Sequence, residues 1–169
     1  MGRFSLRGFV MGIARTLAIF TAAALGCAAV PAAVAQNINA DPNYGTINLR
    51  SGFLPDPQII PLQSGGDIDV SRLNANCRGF ITSAPDVRLN YDAGTLPLYI
   101  SVDSSADTTL VINGPDGEWY CDDDGGTRGL NPSIRFETPQ TGRYEIWVGT
   151  YGSATLRNAR LHISELYSQ

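Results

Sequence analysis

Beyond its first 35 residues the chain never sustains a helical repeat; apolar residues return at every second position instead. Leu98, Ile100 and Val102 alternate with Tyr99, Ser101 and Asp103. Val87, Leu89 and Tyr91 alternate with Arg88 and Asn90. Tyr144, Ile146 and Val148 alternate with Arg143, Glu145 and Trp147, and Leu161 and Ile163 with Arg160 and His162. A two-residue period sends neighbouring side chains to opposite faces, so these stretches predict strands with one buried and one wet face. Gly, Pro and Asx clusters separate them, at Asp92–Gly94, Asn113–Gly117, Asp124–Gly126 and Pro139–Gly142. Short strands at such spacing predict a β-sandwich or barrel, placed over residues 58–169. The alternation makes Leu89, Leu98, Ile100, Leu110, Ile112, Phe136, Tyr144, Ile146, Val148, Leu161 and Ile163 the expected core. It leaves Arg88, Arg143, Glu145, Arg160 and His162 outside. Residues 36–57 read as an irregular leader, broken by Asn37, Asn39, Pro42, Asn43, Pro55 and Pro57, with one short strand at Thr46–Leu49.

Residues 1–35 have a different grammar. Arg3, Arg7 and Arg15 come first, with no acid before Asp41. An alanine-rich apolar stretch runs from Thr16 to Val30, and Ala33 and Ala35 then stand at the −3 and −1 positions of an A-x-A cleavage site. Together these predict a secretory signal, and a periplasmic or secreted product. The apolar run is shorter than the roughly 20 residues of a membrane-spanning helix, and the helix-breaking Pro31 precedes the cleavage site. No membrane span is therefore expected after cleavage. A lipoprotein would use Cys27, but Ala24-Leu25-Gly26-Cys27 sets leucine one position late for that signal.

All twelve basic residues are arginine, against sixteen acids and a single histidine. A chain without lysine has no Schiff-base chemistry and no P-loop lysine. Removing residues 1–35 takes away three arginines and no acid, leaving a formal charge of −7. So acidic a chain lacks the basic footprint of a nucleic-acid binder. Cleavage also removes Cys27 and leaves Cys77 and Cys121, which in an exported chain pair or stay as two buried thiols. A bond between them would close a 44-residue loop. The chain-entropy model values such a closure at roughly 4 kcal/mol.

From Ser83 onward the order of motifs resembles a known family. Ala84-Pro-Asp-Val-Arg-Leu-Asn-Tyr91 leads to Asp92-Ala-Gly-Thr95, then to Ala106-Asp-Thr-Thr-Leu-Val-Ile-Asn113 and Gly114-Pro-Asp-Gly117. Asp122-Asp-Asp124, Asn131-Pro-Ser-Ile134 and Gly142-Arg-Tyr-Glu-Ile-Trp-Val148 complete the series. This is similar to the bacterial pre-peptidase C-terminal domain, related to collagen-binding modules. The resemblance covers roughly residues 65–166 and implies an exported antiparallel sandwich of jelly-roll type. Such domains usually accompany a peptidase in the same chain, so it also implies an accessory role to a separately encoded secreted peptidase. Thr109 stands where the family pattern carries a second acid. The cysteine pair is not a general feature of that family either, which suggests a distinct subfamily.

Catalytic constellations are thin. His162 has no G-x-S-x-G partner, so a hydrolase triad lacks its parts. Asp107-Thr108-Thr109 lacks the glycine of an aspartic protease, and one histidine with two cysteines makes no zinc site. A non-enzymatic protein is expected, with a binding or structural role and a protein or polysaccharide ligand. The best candidate site is acidic: Asp122, Asp123 and Asp124, joined by Asp107, offer hard oxygen ligands for calcium. A solvated loop, partly offset by Arg128, is the alternative. Trp119 and Trp147 are the candidate binding surface, in an outward aromatic strip with Tyr99, Tyr120 and Tyr151. N-terminal sequencing of the exported protein should begin at Gln36; an intact Met1 on a cytoplasmic product would overturn the export reading, and an acylated Cys27 would favour a lipoprotein.

Overall fold

The computed structural model describes Met1, Gly2 and residues 36–73 and 76–169, so the expected signal segment and Cys27 lie outside the described residues. The strands are β1 (Thr46–Arg50), β2 (Gln58–Ser64), β3 (Ile68–Asp69), β4 (Phe80–Ile81), β5 (Val87–Asp92) and β6 (Leu98–Asp103). After them come β7 (Thr108–Asn113), β8 (Trp119–Asp122), β9 (Ser133–Phe136), β10 (Gly142–Thr150) and β11 (Arg157–Ser164). One turn of 3₁₀ helix, Val70–Arg72, sits between β3 and β4. Two sheets result, and the protein is an all-β sandwich. One sheet runs β1-β5-β10-β4-β3, with β7 also on β10 and β8 on β7; the other runs β2-β11-β6-β9. Every pair is antiparallel except β1 with β5. Pro61 lies in β2, on the edge of its sheet, where a missing donor blunts pairing with another chain.

The core between the sheets holds the residues that the alternation selects. Leu89, Leu98, Ile100, Leu110, Ile112, Tyr144, Ile146, Val148, Leu161 and Ile163 are buried there, and Phe136 packs against them partly exposed. Phe136 stacks edge-on to both Tyr120 and Tyr144, at 5.0 and 5.3 Å.

The outer face of the larger sheet departs from expectation. Trp147, Val111, Ile81, Ile68, Val70 and Cys77 form a second core there. Trp147 is fully buried, so it is not part of a binding surface, and Glu145 and Arg88 are not exposed either. The physical reason is a cover. After β2 the chain crosses between the sheets at Gly65-Gly66, where the Gly65 N–H donates to the Val148 carbonyl at 2.9 Å. A side chain at Gly66 would place its Cβ 2.1 Å from the Ile81 carbonyl carbon, so only glycine fits this crossing. The segment beyond it folds over the sheet, and the disulfide ties Cys77 down to Cys121 of β8. Thr109 is buried in the same layer, and a Cβ on Gly149 would lie 2.3 Å from its Oγ1. An aspartate at this buried position would have to lose its water.

The leader is also part of this cover. Asn37, Asn43 and Tyr44 donate backbone N–H groups to the carbonyls of Ser83, Pro85 and Asp86. Glu145, 1% exposed, accepts from Arg88 Nε at 2.6 Å and forms an ion pair with Arg143, whose Nε lies 3.0 Å away. Arg88 Nη2 then reaches the carbonyls of Ile38 and Ala40 at 3.2 and 2.9 Å. A carboxylate taken out of water needs such partners, because the cost of an unpaired buried charge is several kcal/mol. β1 continues the leader as Thr46–Arg50, one residue longer than the sequence suggests.

Asp86 lies under the same strap, also 1% exposed. Its Oδ2 accepts from the Val148 N–H at 2.8 Å and its Oδ1 from Asn43 Nδ2 at 3.1 Å. Burial pushes this carboxyl up to about 7, against the lowering effect of those two bonds. The folded protein therefore holds a proton that the unfolded chain releases near pH ~4. The stabilisation is fully present below about pH 4 and is lost as pH rises through about 7. Asp86→Asn should flatten the Asp86-dependent loss between about pH 5 and 8 in urea denaturation. An unchanged pH profile would show that Asp86 does not titrate across folding.

Candidate binding site at one end of the sandwich

The β6–β7 loop, Ser104–Asp107, is held from three sides by residues chosen for short polar side chains. Ser104 Oγ donates to the Asn158 carbonyl at 2.8 Å and accepts from the Ala106 N–H at 3.0 Å. Tyr151 N–H donates to the Asp107 carbonyl at 3.1 Å. Asn131, buried in the β8–β9 loop, links the rest. Its Oδ1 accepts from Thr108 Oγ1 at 2.7 Å, while its Nδ2 donates to the carbonyls of Ser104 at 2.9 Å and Arg128 at 3.1 Å. An amide can serve two carbonyls and one hydroxyl at once, which no apolar residue or hydroxyl of that size can do.

Three clefts surround this loop, of about 400, 250 and 380 Å³, and Ser105 lines all of them. Each has its own arginine: Arg160 in the first, Arg128 in the second, Arg157 in the third. Asp103, mostly buried, pairs with Arg160 and lies 3.9 Å from Arg128. Leu130 borders the second cleft and Tyr151 the third.

The acidic residues singled out by sequence divide between this end and the neighbouring loop. Asp107 lines the second and third clefts. Burial holds its carboxyl above the usual range, and the nearby Asp124 and Asp123 charges push the same way. Asp122 has another task. Its Oδ2 accepts from the N–H groups of Gly125 at 2.7 Å and Ser133 at 2.8 Å, closing the loop on itself. Among the described residues, no group of three or more His, Cys, Asp or Glu is placed to hold a metal ion. The calcium expectation thus gains no donor set from this geometry.

The aromatic expectation also divides. Trp119 is partly buried and meets the buried Trp147 at 5.5 Å between ring centres, tilted by 36°. The pair packs beside the disulfide, with Cys77 and Cys121 in the same cluster and their sulfurs 2.03 Å apart. Tyr151 is 46% exposed and stays at the surface. His162, expected outside, is buried, and among the described residues neither ring nitrogen has a hydrogen-bond partner. Burial holds its imidazole below the usual range, and the Asp103 charge opposes that.

The sequence reading missed the three arginines. Arg128 entered it only as an offset to the acidic run, and Arg157 and Arg160 stand too far along the chain to suggest one site. Their signal is register: Arg160 lies opposite Asp103 across β11 and β6.

The fold and clefts define a β-sandwich with a braced, cleft-bearing loop end. No family model matches the chain, and no curated protein does. Among solved structures it is similar to PliG of Aeromonas hydrophila, a periplasmic lysozyme inhibitor of g-type lysozyme, at 11% identity. The overlap covers 74% of this chain and 98% of that one, with a TM-score of 0.41. So loose an overlap carries no function across.

Asn131→Ala should loosen the β6–β7 and β8–β9 loops together. It leaves the Thr108 hydroxyl and the Ser104 carbonyl without their buried partner, at a cost of about 2–3 kcal/mol. Urea denaturation measures this. A loss below about 0.5 kcal/mol, the usual range for surface changes, would show that the loops are held by other contacts.

Proposed function

We propose that this chain is an exported, non-catalytic binding module of the cell envelope or extracellular space. A protein or polysaccharide ligand is taken at the loop end. The observation that carries the reading is the convergence of three clefts on Ser105, within a loop braced from three sides. A preorganised surface of that kind loses little entropy when it binds. Export is supported by the Arg-rich start, the Ala33-x-Ala35 site and the disulfide, a bond that persists in oxidising compartments. A non-catalytic role is supported by His162. A general base must reach the proton it takes, and this imidazole is enclosed and lines none of the three clefts. Calcium is not needed for the reading, since Asp122 is committed to its own loop. The motif order shared with pre-peptidase C-terminal domains fits an envelope module equally well.

Ser105→Trp tests the placement by filling the point that the clefts share. The mature chain, residues 36–169, should bind isolated envelope material or spent culture polymers. The variant should bind about ten-fold more weakly, with an unchanged melting temperature. Equal binding by both proteins would overturn the placement. Binding that depends on a co-secreted peptidase would favour the accessory-module reading.

A further inference from the structure

We propose that the loop end recognises an acidic polysaccharide, with Arg128, Arg157 and Arg160 reading its carboxylates. The inference rests on the reading that this end binds a ligand, and it names the ligand's class.

Charge carries it first. Three of the nine arginines beyond residue 35 lie around one loop, each lining a different cleft. Two acids, Asp103 and Asp107, line the same clefts, while Asp123 and Asp124 line none of them. Asp123 and Asp124 stand close enough for their charges to act on Asp107, so the three arginines are a local concentration of cations set among acids rather than a net positive patch.

Geometry carries it further. Asp103 hydrogen-bonds Arg160 and so holds one side of its guanidinium, and it lies 3.9 Å from Arg128. The two side chains are 59% and 66% exposed, so their remaining N–H donors face outward. Arg157 makes no ion pair among the described residues. A guanidinium held on one side presents a planar fork that fits a carboxylate in two parallel hydrogen bonds.

The remaining lining decides the class. Ser105, Ser153 and Asn158 bring hydroxyl and amide groups to the cleft walls, and Tyr151 offers a half-exposed ring. Hydroxyl partners and a ring face suit a sugar chain. An acidic peptide would use the same carboxylate forks, but its backbone offers no flat C–H face to the Tyr151 ring. Leu130 is the apolar wall of the second cleft and fits the C–H face of a sugar ring.

Calorimetry with oligogalacturonate, neutral galactan and poly-glutamate tests the proposal on residues 36–169. Oligogalacturonate should bind and galactan should not. Affinity should fall several-fold between about 0.05 and 0.3 M salt, as screening shortens the reach of the arginines. Arg157→Ala and Arg128→Ala should each weaken binding about five-fold without moving the melting temperature. Arg135→Ala, on β9 beside Glu137, should leave binding unchanged. Equal binding of poly-glutamate would overturn the polysaccharide class in favour of an acidic peptide. If neither polyanion binds while envelope binding stays sensitive to Ser105→Trp, the anion site fails and the binding module stands. Loss of both results would overturn the two readings together.

Discussion

Strand β10 is buried from Tyr144 to Thr150, on both of its faces, and the rest of the structure is arranged around that fact. It pairs with β7 along one edge, and with β5 and then β4 along the other. Its inward residues, Tyr144, Ile146 and Val148, meet the second sheet. Its outward residues, Glu145 and Trp147, would meet water in a simple two-layer sandwich. Here a third layer covers them, built from the leader, the 3₁₀ turn and the segment anchored by Cys77. A strand enclosed in this way cannot leave a charge unpaired, so Glu145 fixes the positions of Arg88 and Arg143.

Three buried carboxylates do parallel work in different places. Glu145 ties the leader to the sheet through Arg88. Asp86 ties it a second time, through Asn43 and the Val148 N–H. Glu165 closes the opposite corner, accepting from Tyr91 Oη at 2.5 Å and the Gly52 N–H at 2.6 Å. Burial, with Glu165 beside it, raises the Tyr91 hydroxyl far above its ordinary range, so that bond stays a neutral donor on a carboxylate. Each tie joins segments distant in sequence, and the first starts from Glu145 and Arg88, themselves opposite each other across β10 and β5. The sandwich is thus sewn at its margins by acids, each with a specific donor.

The legible part of this structure is the part that alternation can express. A period of two separates one face from the other, and it correctly placed Leu89, Ile100, Ile146 and Leu161 inside. It does not say whether the second face meets water. Trp147 and Glu145 were read as outward, and they are outward, but under a cover that the broken pattern of residues 36–57 and 65–82 concealed. His162 fell to the same ambiguity on the other sheet. The cysteine pair was legible because export and an even count constrain it, whereas its role as an anchor of the third layer was not. The clefts were least legible of all. They join Asp103, Arg128, Arg157 and Arg160, which strand order brings together and linear spacing scatters.

The position of those clefts stems from the same architecture. Covering the outer face of the larger sheet removes a broad surface that a sandwich ordinarily offers to partners. Two of the sheet edges are blunt, since Pro61 takes a donor out of β2 and β9 is only four residues long. The ends are the places where loops leave the strands and sit on a rigid support. At one end Asn131 immobilises the loops, and Asp103 draws arginines from β11 and the β8–β9 loop toward β6. A lysine-free chain has only arginine for a fixed positive charge, and arginine keeps donors to spare after pairing with one acid. The enclosure of β10 thus leaves the loop end as the surface proposed for recognition, and the restriction to arginine decides which side chain its cations use.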